Sequence, residues 1–195
     1  MLSEMTDSEN RERAGKRERL VASAGDLFHR QGMQATTLAE VAQAADVPVG
    51  NVYYYFKTKE ELVAAVIEGR AEQVRAALAS FEPRRDPRAR LKAFVRSWAE
   101  MGELVARHGC PLGSFCSELD KGEGEINRQA AQLMALCVDW AEEQFRLLGT
   151  REARDLAVAL VGAVQGSALL SNTFRDPALM TRQSRRLAHW IDSLP

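Results

Sequence analysis

The sequence predicts an all-α protein, with an N-terminal three-helix helix-turn-helix domain followed by a larger helical domain. Three observations carry this. Apolar residues recur at helical spacing along most of the 195-residue chain. Alanine, leucine, glutamate and arginine, all good helix formers, are used throughout. The six prolines fall between apolar segments rather than inside them. Hydrophobic residues at 46% and charged residues at 27% are ordinary for a soluble globular chain of this length.

The elements follow in order. Residues 1–10 carry few apolar side chains and are expected to fray. From Arg11 the set Leu20, Val21, Ala24, Leu27 and Phe28 marks a helix that Gly32 ends. Thr37-Leu38-Ala39-Glu40 is a capping box opening a short helix through Val41, Ala42 and Ala45. Pro48 stops it, because proline disfavours helical geometry at Val47, and suits the first turn of a third helix reaching Phe56. Thr58 and Glu61 form a second capping box, opening a helix through Leu62 and Val66 towards Ser80. Two short helices across a tight turn, with a third before them, outline a helix-turn-helix domain at residues 11–60.

Residues 61–195 form the second expected domain. Asp86 and Pro87 read as N-cap and first helical residue. Leu91, Phe94, Val95, Trp98, Met101, Leu104 and Val105 then make one apolar stripe ending near Gly109. A glycine-rich stretch with a short helix around Phe115 follows, then an amphipathic helix over 126–149 and an apolar one over 151–172. Asp176-Pro177 starts a last helix ending at Leu194.

Charge and cysteine usage narrow the function. The net charge is −1, yet residues 10–59 hold eight Lys/Arg, Arg11 and Arg13 among them, against five acids. That local excess suits a phosphate-facing module, and equally a solvated surface. The longest apolar stretch, residues 156–170, is broken by Gly162, Gln165, Gly166 and Ser167 and falls short of the ~20 residues of a membrane span. No signal peptide is visible and the three cysteines are odd in number, so a reducing, cytoplasmic setting without membrane attachment is expected.

Thr36-Thr37-Leu38-Ala39-Glu40-Val41-Ala42, followed by Val47-Pro48-Val49-Gly50-Asn51-Val52-Tyr53-Tyr54-Tyr55-Phe56-Lys57-Thr58-Lys59-Glu60-Glu61-Leu62, resembles the DNA-binding signature of the TetR family of ligand-responsive repressors. The likeness covers about residues 11–65 and departs from the family at Asp46, where glycine is usual, and at Met33, where an aromatic is usual. It implies a homodimeric, non-enzymatic regulator that binds a palindromic double-stranded operator. The contacts it implies fall on Thr36, Thr37, Pro48, Val49, Gly50, Asn51, Tyr54, Tyr55 and Lys59. Small residues at Pro48 to Asn51 let a recognition helix enter the major groove, where Asn51 can read adenine and Val49 can meet a thymine methyl. Tyr53 and Phe56, three apart, are expected in the domain core, leaving Tyr54 and Tyr55 for DNA. Lys59, at a helix start, is expected to hold a phosphate.

For the second domain the resemblance implies a cavity for a small apolar or aromatic inducer. Phe94, Trp98, Met101, Phe115, Met134, Trp140 and Phe174 are its candidate lining, with Arg107 or Gln165 as polar anchor; each aromatic equally fits an ordinary core. The last two helices are expected to form the dimer face, with Leu156, Ala159, Leu160, Ala163 and Val164 on it. Cys110 and Cys116 are either small buried hydrophobes or thiol sensors of oxidants and electrophiles. Glu118 and Asp120, close by, would raise a thiol pKa. His29, His108 and His189 are scattered, so no metal or cofactor is expected. His108 beside Cys110 lacks a third residue to orient it, which argues against a nucleophilic enzyme.

Overall fold

The computed structural model describes residues 2–119 and 124–194, with side chains from residue 15. Asp120 and the side chains of Arg11 and Arg13 lie outside what is described. The elements are α1 (Leu2–Gln31), α2 (Leu38–Ala44), α3 (Val49–Tyr55), α4 (Lys59–Ala79), α5 (Pro87–Glu100), α6 (Gly102–His108), α7 (Gly113–Leu119), α8 (Glu125–Leu147), α9 (Ala153–Phe174) and α10 (Ala178–Ser193). The described residues contain no strand. The chain divides into two compact units, Met1–Arg70 and Ala71–Pro195.

The division falls inside α4 rather than at the expected 60/61. Leu62, Val63, Val66 and Ile67 are buried, so the first turns of α4 belong to the core of the first unit. Gly25 of α1 lets that packing close up: a Cβ there would touch Val66 at 3.6 Å, and Arg70 donates to the Gly25 carbonyl at 3.1 Å. Nor does residue 2–10 chain stand apart from α1, which begins at Leu2. That stretch has no proline or glycine to stop a helix, so paucity of apolar residues did not end it.

In the second unit α10 packs on α5 and α9, and α9 also on α6 and α8. Leu91, Val105, Leu133, Phe145, Leu160 and Ile191 are almost wholly removed from water at its centre. Asp86 accepts from the Arg88 amide at 3.0 Å, the cap expected for α5. The expected single helix through residue 108 is instead α5 and α6, broken at Met101 (φ −88°, ψ 10°). Gly102 explains the break, since the Pro177 carbonyl sits 3.1 Å from where its Cβ would be. Arg88 donates to the Ile191 and Leu194 carbonyls at 2.6 and 2.8 Å and so closes the end of α10. At the other end, Asn172 and Arg175 donate to the Ala106 carbonyl at 3.1 and 3.0 Å, and Arg175 also to that of Arg107. They clasp the last turn of α6. Arg175 does so from a left-handed backbone, φ 54°.

Helix α9 corrects a second expectation. At 22 residues it is long and apolar enough, by length and composition alone, to cross a membrane. Its buried side, Ala157, Leu160, Val161, Val164 and Ala168, packs inside this unit. Leu160 and Val164, expected on a dimer face, are therefore protomer core.

Candidate nucleic-acid interface and ligand cavity

The reading head is built from short-range bonds. Thr37 accepts from the Glu40 amide at 3.2 Å, while the Glu40 carboxylate accepts from the Thr37 amide at 2.8 Å, the expected capping box. The same Thr37 bonds hold the Glu40 carboxyl below its ordinary pKa. Asp46 supplies the left-handed turn residue, φ 52°, where aspartate is tolerated. Arg19 of α1 donates to the Ala45 carbonyl at 3.0 Å and fixes that turn. The second box is altered: Thr58 accepts from the Glu61 amide at 3.2 Å, but Glu61 reaches the Lys57 amide at 2.7 Å.

Helix α3 buries Val52 and Phe56, a pair four residues apart, and turns the opposite side outward. Val49, Tyr53 and Tyr54 are 47%, 54% and 60% exposed, and Gly50 stands beside open space. Pro48 is exposed as the residue before the helix, and Asn51 and Tyr55 are half-buried. The expectation that Tyr53 packs in the core is overturned, because Val52 takes that place and Tyr53 follows about 100° round the helix. Tyr53 is the surface residue that sequence reasoning missed, and the Val52–Phe56 spacing was the signal for it. Tyr54 and Tyr55 meet edge to face at 5.1 Å between ring centroids.

Two other candidates sit differently from expectation. Thr36 is 1% exposed and donates to the Gly32 carbonyl at 2.7 Å, so its side chain braces the α1–α2 loop from inside. Lys59 donates to the Thr36 carbonyl at 2.7 Å and ties the start of α4 to that loop. Thr37 remains on the surface.

In the second unit a cavity of about 640 Å³ lies among α6, α7, α8 and α9. Gly109, Cys110, Gly113, Ser114, Cys116 and Ser117 form one wall, Ala130, Ala131 and Met134 a second, and Gln165, Gly166, Leu169 and Asn172 a third. Of the expected lining, Met134 and Gln165 are present. Phe94, Trp98, Met101, Phe115, Trp140, Phe174 and Arg107 are not. Phe94 and Trp140 instead stack with Phe81 at 5.6 to 6.5 Å, and Trp140 donates to Glu82 at 2.9 Å. Trp98 joins them through Phe94, and Phe115 is buried beneath α7.

No charged or aromatic side chain lines the cavity among the described residues. Its polar groups are two carboxamides and two hydroxyls. They press close to the backbone: a Cβ at Gly113 would run into Gln165 Oε1, and one at Gly109 (φ 81°) into Ser114 Oγ. Cys110 is buried, its sulfur accepts from the Gly113 amide at 3.2 Å, and burial pushes its thiol pKa up. Cys116 is half-buried and donates to the Ala130 carbonyl at 3.3 Å. Cys137 is core, its pKa pushed up to about 12 by burial and by the neighbouring Cys110 and Cys116.

Comparison with known proteins bears on both sites. Residues 20–66 match the sequence model for bacterial regulatory proteins of the tetR family, and residues 87–187 match that for tetracyclin repressor-like C-terminal domains. The chain is 27% identical over 168 residues to the HTH-type transcriptional regulator LmrA of Bacillus subtilis, covering 82% of this chain and 88% of LmrA. It is 26% identical over 147 residues to RutR of Escherichia coli, covering 70% and 67%. A TetR transcriptional regulator from Chloroflexus aurantiacus shares the fold with a TM-score of 0.83 at 22% identity over 94% of this chain and 97% of its own. Escherichia coli NemR, crystallised in a reduced form, does so with 0.75 at 18% identity over 88% and 94%.

Proposed function

This chain belongs to the TetR family of bacterial regulatory proteins, and from that premise we propose that it is a dimeric repressor released from its operator by an uncharged small molecule. The observation that carries the DNA half is the outward row on α3. Val49, Gly50, Tyr53 and Tyr54 face solvent, and no packing within the first unit explains two exposed tyrosines beside a bare glycine. A recognition helix presents such a row to base edges, with half-sites ~34–36 Å apart for a dimer. Asn51 and Tyr54 read bases, Thr37 meets the backbone, and the Lys59 ammonium exchanges the Thr36 carbonyl for a phosphate. Such a regulator works in the cytoplasm.

The dimer face is the outer side of α9 with α10. Val158, Leu169, Leu170 and Phe174 are all half exposed or nearly so, whereas Glu152 and Asp155 on α9 and Arg185 and Arg186 on α10 offer complementary charge. The cavity supports the inducer half. With no counter-charge in its described walls, an ionised ligand would be buried unpaired, so the ligand is neutral and bonds to Gln165, Asn172 or Ser114. It acts by differential affinity for the DNA-binding and released states. A second reading narrows to Cys116, a wall residue: electrophiles with an activated alkene would be attacked by its sulfur, and the thiol proton would pass to the neighbouring carbon.

Fluorescence anisotropy with DNA from upstream of the protein's own coding region tests the regulator. Operator affinity should exceed that for unrelated DNA by ~10³-fold or more, and Asn51→Ala or Tyr54→Ala should shrink that ratio. Equal binding to both DNAs sinks the reading. Nile red, a neutral dye, tests the cavity by fluorescence gain, which Gly113→Leu should abolish. Treatment with N-ethylmaleimide, comparing the protein with Cys116→Ser, tests the thiol alternative.

A further inference from the structure

We propose that a second copy of this chain supplies the missing wall of the cavity, so that the ligand site is complete only in the dimer. This rests on reading the cavity as a ligand site. Leu169 lines the cavity and yet remains 67% exposed. Gly166, another wall residue, faces outward on the same helix with open space where its Cβ would be. The spacing of Val158, Gly162, Gly166, Leu169 and Thr173 places them on one face of α9. The mouth of the cavity therefore opens in the middle of an exposed apolar stripe. α6, α7 and α8 close the other sides, and no element of this unit crosses the outer side of α9 among the described residues.

A second copy is the occupant that this face fits. In a twofold pair the same stripe meets itself, apolar against apolar, and Gly162 and Gly166 let the two helices approach. The partner's stripe then roofs the opening beside Leu169. Ligand and partner share Gly166 and Leu169, so occupancy and dimerisation are coupled, each strengthening the other by the same factor.

The test follows Cys116, inside the cavity, as a reporter of closure. The full chain is treated with iodoacetamide, and alkylation of each cysteine is followed by peptide mass spectrometry. Sedimentation velocity at the same concentrations gives the oligomeric state. Cys116 should react about tenfold more slowly in the dimer than in monomeric Gly162→Gln, while buried Cys137 stays slow in both. Gly162 has space for the new side chain within one protomer, and circular dichroism checks its fold; Val158→Glu is the second monomerising variant. Equal Cys116 rates in dimer and monomer overturn the shared wall, as do dimers that survive both substitutions. So does a wild-type monomer at every concentration, including one that instead floats with phosphatidylglycerol vesicles through α9. Iodoacetamide needs no bound ligand, so Nile red uptake can still uphold the cavity if the shared wall fails.

Discussion

Thr37 and Glu40 show how much one local pair decides. Thr37→Ala removes the cap of α2 and should cost the fold ~1 kcal/mol in urea denaturation. Glu40, Asp176 and Asp192 all have carboxyls held below their ordinary pKa values of 4.5, 3.8 and 3.8. Their bonds to Thr37, Arg182 and Lys92 are the leading causes. Because the folded values are the lower ones, the stability these groups add is fully present above the ordinary values. It is lost as pH falls through the folded ones. Urea midpoints taken from pH 7 to pH 3 should fall, and fall less steeply for Glu40→Gln. Both caps at Thr37 and Asp86 were legible in sequence because donor and acceptor lie within three residues. The Lys59 bond to Thr36 spans 23 positions, and no local pattern announces it.

At the level of the element, burial separates what spacing alone could not. Helical periodicity located α9, but it could not tell which of its two apolar sides the protomer uses. Leu160, fully buried, faces inward, so Leu160→Arg should unfold the second unit, costing ~4 kcal/mol or more. Val158→Glu, on the exposed side, should leave the melting temperature of the protomer nearly unchanged and raise the dimer dissociation constant. Gly162→Gln should add ~0.5–1 kcal/mol to protomer stability, since glycine is costly within a helix. The aromatic cavity was illegible for a related reason. Phe81, Phe94 and Trp140 lie far apart in sequence, and only their convergence shows that they fill space rather than enclose it. Met134 and Gln165 had no stronger signal than the residues that were wrong.

For the whole molecule, helix content, the order of elements and the helix-turn-helix were all legible, because each rests on short-range pattern. The domain boundary was not, since α4 continues without a break while its buried residues change allegiance after Arg70. Function joins the two units through binding equilibria. Operator affinity should fall when the protein is diluted below its dimer dissociation constant, because one half-site holds few contacts. Lys59→Ala should weaken binding to operator and unrelated DNA alike. The slope of log K against log salt should drop by about 0.9 for the one lost phosphate contact in each protomer. Anisotropy titrations between low and moderate salt measure it, and an unchanged slope removes Lys59 from the interface.

The clasp of Asn172 and Arg175 on the last turn of α6 sets a timescale. The Gly109 amide donates to the Val105 carbonyl at 2.8 Å, so its hydrogen exchanges with solvent only when that turn opens. Arg175→Ala should speed exchange at Gly109 without changing global unfolding, and Arg175→Gly should do so while relieving the left-handed backbone. Asn172 is also a wall of the cavity. A guest that takes its carboxamide would therefore register as faster opening at the end of α6, before any change in average shape.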